Sequence, residues 1–252
     1  MQKSHYEDLY DNQDTLWWYK GMRLINTTLL NKYFSQKRGL KILDAGCGAG
    51  AALGYLSQYG ETIGVDISDE ALKFARKRGK VKKADIANLP FKDNSFDLVF
   101  CYGVLYHVWV KDERKALDEF YRVLKKGGTL LLEEPAYDWF MGNEDMISFG
   151  KHRFTASELK ILLKECSFKT LRSTYINSIL FPLGIVKRLP EIIGLRPRRP
   201  VSDIFEMSGI INFIFLKILQ LESKLLKYIN FPFGMSVICI ARKNEEPKTA
   251  KK

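Results

Sequence analysis

Lys41-Ile-Leu-Asp-Ala-Gly-Cys-Gly-Ala-Gly50 is the stretch whose reading decides the fold. Ile42 and Leu43 end a short apolar run, the pattern of a strand buried on both faces of a parallel sheet. Gly46, Gly48 and Gly50 follow at once, and Ala51 to Leu56 then reads as a helix. Strand, glycine turn and helix let backbone approach a nucleotide-like ligand, because glycine has no Cβ and accepts positive φ. N–H groups at the helix start would point at that ligand. The next strand, Glu61 to Asp66, ends in a carboxylate about twenty residues after the glycines, where an acid can accept both hydroxyls of a ribose. A third strand closes on Ala84-Asp85-Ile86, and an Asp there can meet an adenine amino group. Gly46-x-Gly48-x-x-Ala51 also fits a dinucleotide fingerprint, so an NAD(P)-dependent Rossmann oxidoreductase has to be weighed.

Five motifs in order carry a resemblance. Leu43-Asp-Ala-Gly-Cys-Gly-Ala-Gly50, Gly64-Val-Asp-Ile-Ser68, Ala84-Asp-Ile-Ala-Asn-Leu-Pro-Phe91, Phe96-Asp-Leu-Val-Phe100 and Leu124-Lys-Lys-Gly-Gly-Thr-Leu-Leu132 resemble the motifs of class I S-adenosylmethionine-dependent methyltransferases. The subgroup they look most like is the small-molecule kind called methyltransferase type 11. The resemblance covers residues 40–170 and implies an α/β fold. That fold is a Rossmann-like, doubly wound, seven-stranded, mostly parallel sheet with an antiparallel last strand. It implies S-adenosyl-L-methionine as cofactor, with Asp44, Gly46, Cys47, Gly48 and Gly50 at the first strand end. Asp66, Ile67, Asp85, Ile86 and Tyr102 would complete that pocket, with Tyr19 and Arg23 reaching it from the N-terminal segment. Arg23 either meets the methionine carboxylate of the cofactor through its paired N–H geometry or is an ordinary surface arginine. Asp44 and the Asp85 strand argue against the oxidoreductase.

The chain has 252 residues, enough for one large α/β domain with an insertion, and 46% apolar residues permit a full core. A formal net charge of +11 favours anionic partners or simply aids solubility. Four cysteines (Cys47, Cys101, Cys166, Cys239) and three histidines show no metal-ligand spacing, so no metal site is expected. Reduced thiols in a core agree with a cytoplasmic protein. The N-terminus lacks a signal-peptide apolar core, and no uncharged apolar run reaches the ~18 residues of a spanning helix.

Taken in order, residues 1–39 form an N-terminal segment in which Tyr6, Tyr10, Trp17, Trp18 and Tyr19 crowd an otherwise polar run. Aromatics there either anchor a helix at the sheet edge or close over the cofactor. Residues 40–176 form the methyltransferase core. Within it Ser68 reads as an N-cap, Arg114 to Leu124 as a helix, and Lys125-Lys-Gly-Gly128 as a turn before a strand from Thr129 to Leu132. Thr155-Ala-Ser-Glu158 is a capping box, and Phe168 to Tyr175 reads as a sixth strand. The final core strand falls within 235–242, and 243–252 read as a disordered tail. Between them, residues 177–234 are too long for a hairpin and read as a helical insertion. It holds the basic knot Arg196-Pro-Arg-Arg-Pro200 and an apolar stripe, Ile211, Ile214, Ile218, Leu221, Leu225 and Ile229, at helical steps, widened by Phe213, Phe215, Leu216 and Leu219. The stripe either packs on the domain or touches an apolar substrate or an anionic membrane surface, with peripheral attachment as the consequence.

Methyl transfer is an in-line attack, so a base is needed only where the acceptor must lose a proton. His107, just past the fourth strand, is the first candidate base, with Tyr106 lining the same pocket. Glu133 is the second, and His152 is weaker. The acceptor is expected to be a small molecule, a sugar or a lipid-linked compound. A looser likeness of the Trp17-Trp18 segment, the insertion and Pro232-Phe-Gly-Met-Ser236 to methyltransferases of glycan and glycolipid biosynthesis points the same way. No Asn/Asp-Pro-Pro-aromatic tetrapeptide and no Pro-Cys or Thr-Cys nucleophile occurs. An RNA-directed enzyme therefore rests on net charge alone. A non-catalytic binding module would require broken motifs, and none is broken.

Overall fold

A computed structural model describes residues 3–34, 39–200 and 208–244. The N-terminal segment is two helices, α1 (Lys3–Asn12) and α2 (Trp17–Phe34). The core then alternates β1 (Leu40–Ala45), α3 (Leu53–Leu56), β2 (Gly60–Asp66), α4 (Asp69–Ala75), β3 (Lys80–Lys83), β4 (Phe96–Tyr102), α5 (Glu113–Val123) and β5 (Leu124–Pro135). After a 3-10 turn at Asp138–Phe140 come α6 (Asn143–Ser148), α7 (Ala156–Glu165), β6 (Phe168–Ile176), α8 (Phe181–Ile192), α9 (Gly209–Leu225) and β7 (Ser236–Lys243).

The strands form one seven-stranded sheet in the order β3-β2-β1-β4-β5-β7-β6. Pairings from β3 through β5 are parallel, and β7 runs antiparallel between β5 and β6. The strand order reverses between β1 and β4. A doubly wound sheet opens a ligand crevice at such a point, outside its carboxyl edge.

Alternation along each strand sends side chains into two apolar layers. Leu43, Val99, Cys101, Leu130, Leu132 and Cys239 pack with Leu117 and Phe120 of α5 and with Leu159 and Leu163 of α7. Ile42, Leu98, Phe100, Leu131 and Ile240 pack instead under Ile25 and Leu29 of α2 and Leu219 and Leu226 of α9. Local signals hold where they are local. Ser68 Oγ accepts the Ala71 N–H, and Thr155 and Glu158 cap α7 reciprocally.

Four details differ from the sequence reading. The helix after the glycines is a single turn, because Gly54, Ser57 and Gly60 lie within or just beyond it, and none of these favours a longer helix. Residues 125–128 do not separate helix from strand; they are an irregularity inside β5, which begins at Leu124, with Gly127 at φ 71°. Lys243 is not tail but strand: its Nζ donates to the Leu124 carbonyl at 2.7 Å. Residues 245–252 lie outside the described part, as do 35–38 and 201–207.

The fourth difference concerns the apolar stripe of the insertion. Ile211, Ile214, Leu221, Leu225 and Ile229 are exposed and Ile218 is half-buried, while Leu219, Glu222, Ser223 and Leu226 are the buried positions. The contact with α2 joins Leu219, Leu226 and Phe215 to small and polar groups, which hydropathy assigns to solvent. A Cβ on Gly21 would sit 2.1 Å from Leu219 Cδ1, so glycine permits the close approach. Thr28 Oγ1 lies 2.7 Å from Ser223 Oγ, and the Asn212 side chain accepts the Trp17 N–H at 2.8 Å. Glu222, fully buried, accepts the Ile179 N–H. Arg172 donates to the carbonyls of Leu226 and Ile229, closing the C-terminal end of α9. Among the described residues no helix is long and apolar enough to cross a membrane.

Candidate active site

One cavity of about 1000 Å³ opens along the carboxyl ends of β1, β2, β4 and β5. Every site residue named from the sequence lines it except Gly50 and His152. Gly50, at φ 88°, is instead set against α4, where an added Cβ would lie 3.0 Å from Ala75 Cα. Gly46 is at φ 79°, and a Cβ there would run into Val104 at 2.4 Å. A Cβ on Gly48 would meet nothing within 4 Å, so the backbone there faces open space.

Carboxylates set the electrostatics of this end. Asp66 Oδ2 accepts the Gly48 N–H at 2.9 Å and Oδ1 the Ser68 N–H at 2.9 Å, which locks the acid across the glycine turn. Burial nevertheless raises its pKa, against those N–H bonds. Asp44 is 2% exposed, and its Oδ2 is buried with no hydrogen-bond partner in the structure. Burial, with Asp66 nearby, pushes its carboxyl up to about 8. An orphaned buried acid facing a cavity is a site made for a cation. Asp85 lies exposed just past β3, its Oδ1 taking the Ala87 N–H, while Ile86 is buried beside it. Ile67 is half-exposed at the rim, and Cys47 is a buried thiol that burial and the two acids keep protonated.

The N-terminal helices roof this end. Tyr6 of α1 lines the cavity beside Ser68 and Asp66, and Tyr10 packs on Phe74 of α4 at 5.2 Å. Asp14 ties the roof down by bridging Arg23 at 2.9 Å and Arg78 at 2.7 Å. Arg23 thus lines the cavity while one of its amino groups is held by Asp14. Its guanidinium also stands 5.8 Å from the Tyr55 ring. Tyr19 and Tyr102 line the same wall, both with phenols raised by burial.

Beyond Tyr102 the lining changes. Glu133, 2% exposed, sits where β4 and β5 end; Gly103 donates its N–H to the Glu133 carbonyl at 2.8 Å. Burial raises the Glu133 carboxyl to about 7, opposed by a hydrogen bond from Ser236 and by the Arg153 charge. His107 is held differently. Its Nδ1 lies 2.7 Å from the Ser148 carbonyl, which must accept, so the proton is on Nδ1. Burial lowers this imidazole to about 4. Tyr106 stacks beside it at 4.1 Å, its phenol raised by burial. His152 lies outside the cavity, paired with Asp138 at 2.8 Å.

Sequence reading missed three supports of this end. Glu134, fully buried, accepts the N–H groups of Val104, Leu105 and Tyr106 and so fixes the loop carrying Tyr106 and His107. Arg153 and Asp145 form a buried bidentate pair at 2.8 Å that holds α6 against the loop before α7. Arg188 of α8 stacks on Phe140 at 4.5 Å and donates to the Phe140 carbonyl. The doublet Glu133-Glu134 at a strand end was a visible signal. Nothing local marks the partners of Arg153 and Arg188. No cluster of metal-ligating side chains occurs among the described residues.

A seven-stranded sheet with this order, a glycine turn, two strand-end acids and a cavity over them make a nucleoside-binding site. Residues 43–132 match the methyltransferase-domain family. The uncharacterized protein MJ0638 of Methanocaldococcus jannaschii is 36% identical over 166 residues, covering 66% of this chain and 70% of that protein. Probable tRNA methyltransferase 9B of mouse is 33% identical over 144 residues, 56% of this chain but 31% of that protein. A SAM-dependent methyltransferase of Archaeoglobus fulgidus superposes with a TM-score of 0.55 at 21% identity, covering 88% of this chain and 94% of that one. Phosphoethanolamine N-methyltransferase 2 of Haemonchus contortus, solved with S-adenosyl-L-methionine, gives 0.57 at 21%, covering 87% of this chain and 52% of that one. The chain belongs to the class I S-adenosylmethionine-dependent methyltransferases. It is a methyltransferase enzyme, and S-adenosyl-L-methionine is its cofactor.

Proposed function

We propose that the chain methylates a small-molecule, sugar or lipid-linked acceptor bound at the Glu133 end of the cavity, and that Glu133 removes the acceptor's proton. The observation that carries this is the buried Glu133 carboxyl at the shared end of β4 and β5, raised to about 7. A base works best with a pKa near the operating pH, which favours Glu133 over His107 at about 4.

S-adenosylmethionine supplies a methyl group on a positive sulfur, open to in-line attack by a lone pair. The chain's residues do the rest. Asp44 would take the ammonium of the methionine moiety, satisfying its orphaned oxygen. Asp66 would accept ribose hydroxyls on lone pairs left by its two N–H bonds, and Asp85 with Ile86 would border the base. Arg23 and Tyr19 close the wall from above. Tyr106 and His107 shape the acceptor end; the His107 ring, pinned by the Ser148 carbonyl, orients rather than titrates. Phe140, Leu180, Leu183, Met235 and Trp109 supply apolar lining that excludes water from the transfer.

Two relatives act on very different acceptors by name, tRNA and malonyl-[acyl-carrier protein]. The shared domain therefore does not select the acceptor; the elements outside it do. Those elements here cover the cavity with aromatic side chains from α1, α2 and α9, which suits a molecule that enters whole more than an RNA strand.

The test is turnover on an acceptor found by screening extracts with methyl-labelled cofactor. Glu133→Gln is expected to lower kcat by about 10²–10⁴ while cofactor affinity stays within a few-fold. The wild-type acid limb of the pH profile, near 7, should vanish in the variant. His107→Ala is expected to cost less than tenfold. A Gln variant with full activity and an intact pH profile would sink the assignment of the base.

A further inference from the structure

We infer that the outward faces of α8 and α9 dock on an anionic lipid bilayer. The acceptor then reaches the cavity from that surface as an amphiphile, a second statement that rests on the methyl-transfer reading above.

The first observation is apolar surface left exposed among the described residues. On α8, Val186, Leu189 and Ile193 follow at steps of three and four and are 67%, 45% and 58% exposed. On α9, Ile210, Phe213, Ile214 and Leu221 are 74%, 58%, 48% and 53% exposed. The opposite side of α9 is already consumed by α2, through Leu219, Glu222, Ser223 and Leu226. Exposed apolar surface of this extent marks an interaction site.

The second observation chooses the occupant. One row of α9 reads Ile210, Ile214, Lys217, Leu221 and Lys224, continued by Tyr228 just past its end, every member exposed. Lysines are therefore set between apolar side chains, and Lys217 Nζ lies over the Phe213 ring at 5.1 Å. Lysine is depleted from the cores of protein interfaces, whereas at a bilayer its stem lies along the apolar layer and its ammonium rises to the phosphates.

Charge agrees. Residues 181–230 hold eight lysines and arginines and four acids. Of the two acids in the described part, Glu222 is buried beneath α9 and Glu191 is paired with Arg196 at 2.6 Å. The exposed surface of these helices is therefore cationic among the described residues.

The third observation links the surface to the chemistry. Leu183 is half-exposed on α8 and also lines the cavity, as do Lys187 and Phe215. The apolar face of α8 thus runs into the rim of the acceptor end. A bilayer seated there would present headgroup-level acceptors to that rim.

Sedimentation of the full chain with vesicles tests this. Binding is expected to phosphatidylcholine vesicles containing phosphatidylglycerol and not to phosphatidylcholine alone, and it should fall as salt rises past 0.1 M, where the Debye length is about 10 Å. Lys217→Ser with Lys224→Ser should weaken partitioning by roughly twentyfold, since each cation near the surface contributes about a fivefold factor. Val186→Ser with Ile214→Ser should weaken it at every salt concentration. These residues lie outside the cavity, so calorimetry with S-adenosylmethionine and the melting temperature should not change, which separates lost docking from lost folding. No binding at low salt, or equal binding by all variants, would overturn the docking. So would a dimer in sedimentation velocity that the same substitutions dissolve, because the face would then join two copies. With docking established, labelled methyl that never enters an organic-extractable product would overturn the amphiphile acceptor alone. Absence of any cofactor binding would instead strike the methyl-transfer reading.

Discussion

The two ends of the cavity are built in opposite ways. At the cofactor end, Asp44, Gly46, Gly48 and Asp66 lie within one βαβ unit, and most of their hydrogen bonds go to backbone N–H groups nearby. At the acceptor end, Glu133, Arg153, Arg188, Phe140 and Ser236 come from five separate stretches, and side chains hold one another. The first end is therefore a local construction, fixed once a short strand and a glycine turn form. The second exists only after long-range pairing places β7 between β5 and β6. A domain divided this way can keep its cofactor end while its acceptor changes, which is what the differing acceptors named for its relatives display.

The largest effect should follow from damaging the local end where backbone geometry admits no substitute. Gly46→Val puts a branched side chain at φ 79° and into Val104. Left-handed backbone costs roughly 1–2 kcal/mol and the overpacking about 1–3 kcal/mol more. Calorimetry should show S-adenosylmethionine affinity reduced by at least a hundredfold. An unaltered affinity would mean that the turn is not the cofactor's seat.

A smaller and two-signed effect is expected at Asp44. Its carboxyl sits near 8 in the fold, above its ordinary 3.8, so the folded chain keeps a proton that the unfolded chain releases in between. Stability without cofactor must then fall as pH rises through that window and stay level above it. Asp44→Asn removes that loss. The unliganded variant should melt several degrees higher than the wild type at pH 8 and equally below pH 4. A chain of this size shifts about 2–4 °C per kcal/mol. Its cofactor affinity should drop about 10–100-fold, because a hydrogen bond to a charged group contributes roughly 1.5–3 kcal/mol. Equal melting of the two proteins at pH 8 would show that Asp44 is ionised at no cost.

The smallest effect on binding is expected at the α2–α9 contact, since Gly21 itself does not line the cavity. Gly21→Ala pushes a Cβ against Leu219 at the α2–α9 contact. It should destabilise the fold by about 1–3 kcal/mol and leave cofactor affinity alone below the melting temperature. A matching loss of affinity would show that the two ends are coupled through α2, and the contrast between them would have to be redrawn.

How much of this was legible in the chain depends on the distance over which each feature is decided. Glycine turns, strand-end acids, Ser68 and the Thr155–Glu158 box are set by neighbours within a few residues, so the strands of the core, the cofactor end and the caps could be read directly. Glu133 and His107 could both be named, and position along the chain put His107 first, the reverse of the order proposed above. Their order depends on Ser148 and Ser236, which arrive from elsewhere and fix one ring while leaving one acid near neutrality. The stripe on α9 was misread for the same reason. Hydropathy finds the apolar side of a helix, but Gly21, Thr28 and Ser223 turned only its Phe215, Ile218 and Leu219 edge inward and left the rest exposed.

Sequence alone carried the class of fold and, through the resemblance of its five ordered motifs, the cofactor, because short-range spacing suffices to set a glycine turn beside strand-end acids. Tertiary structure decided which carboxyl is raised toward neutrality, which arginines are spent on Asp14, Asp145 and the Phe140 carbonyl, and which face of the insertion meets solvent. Those are matters of burial and of partners brought from distant stretches. Desolvation acts on a group only when the whole chain has closed around it.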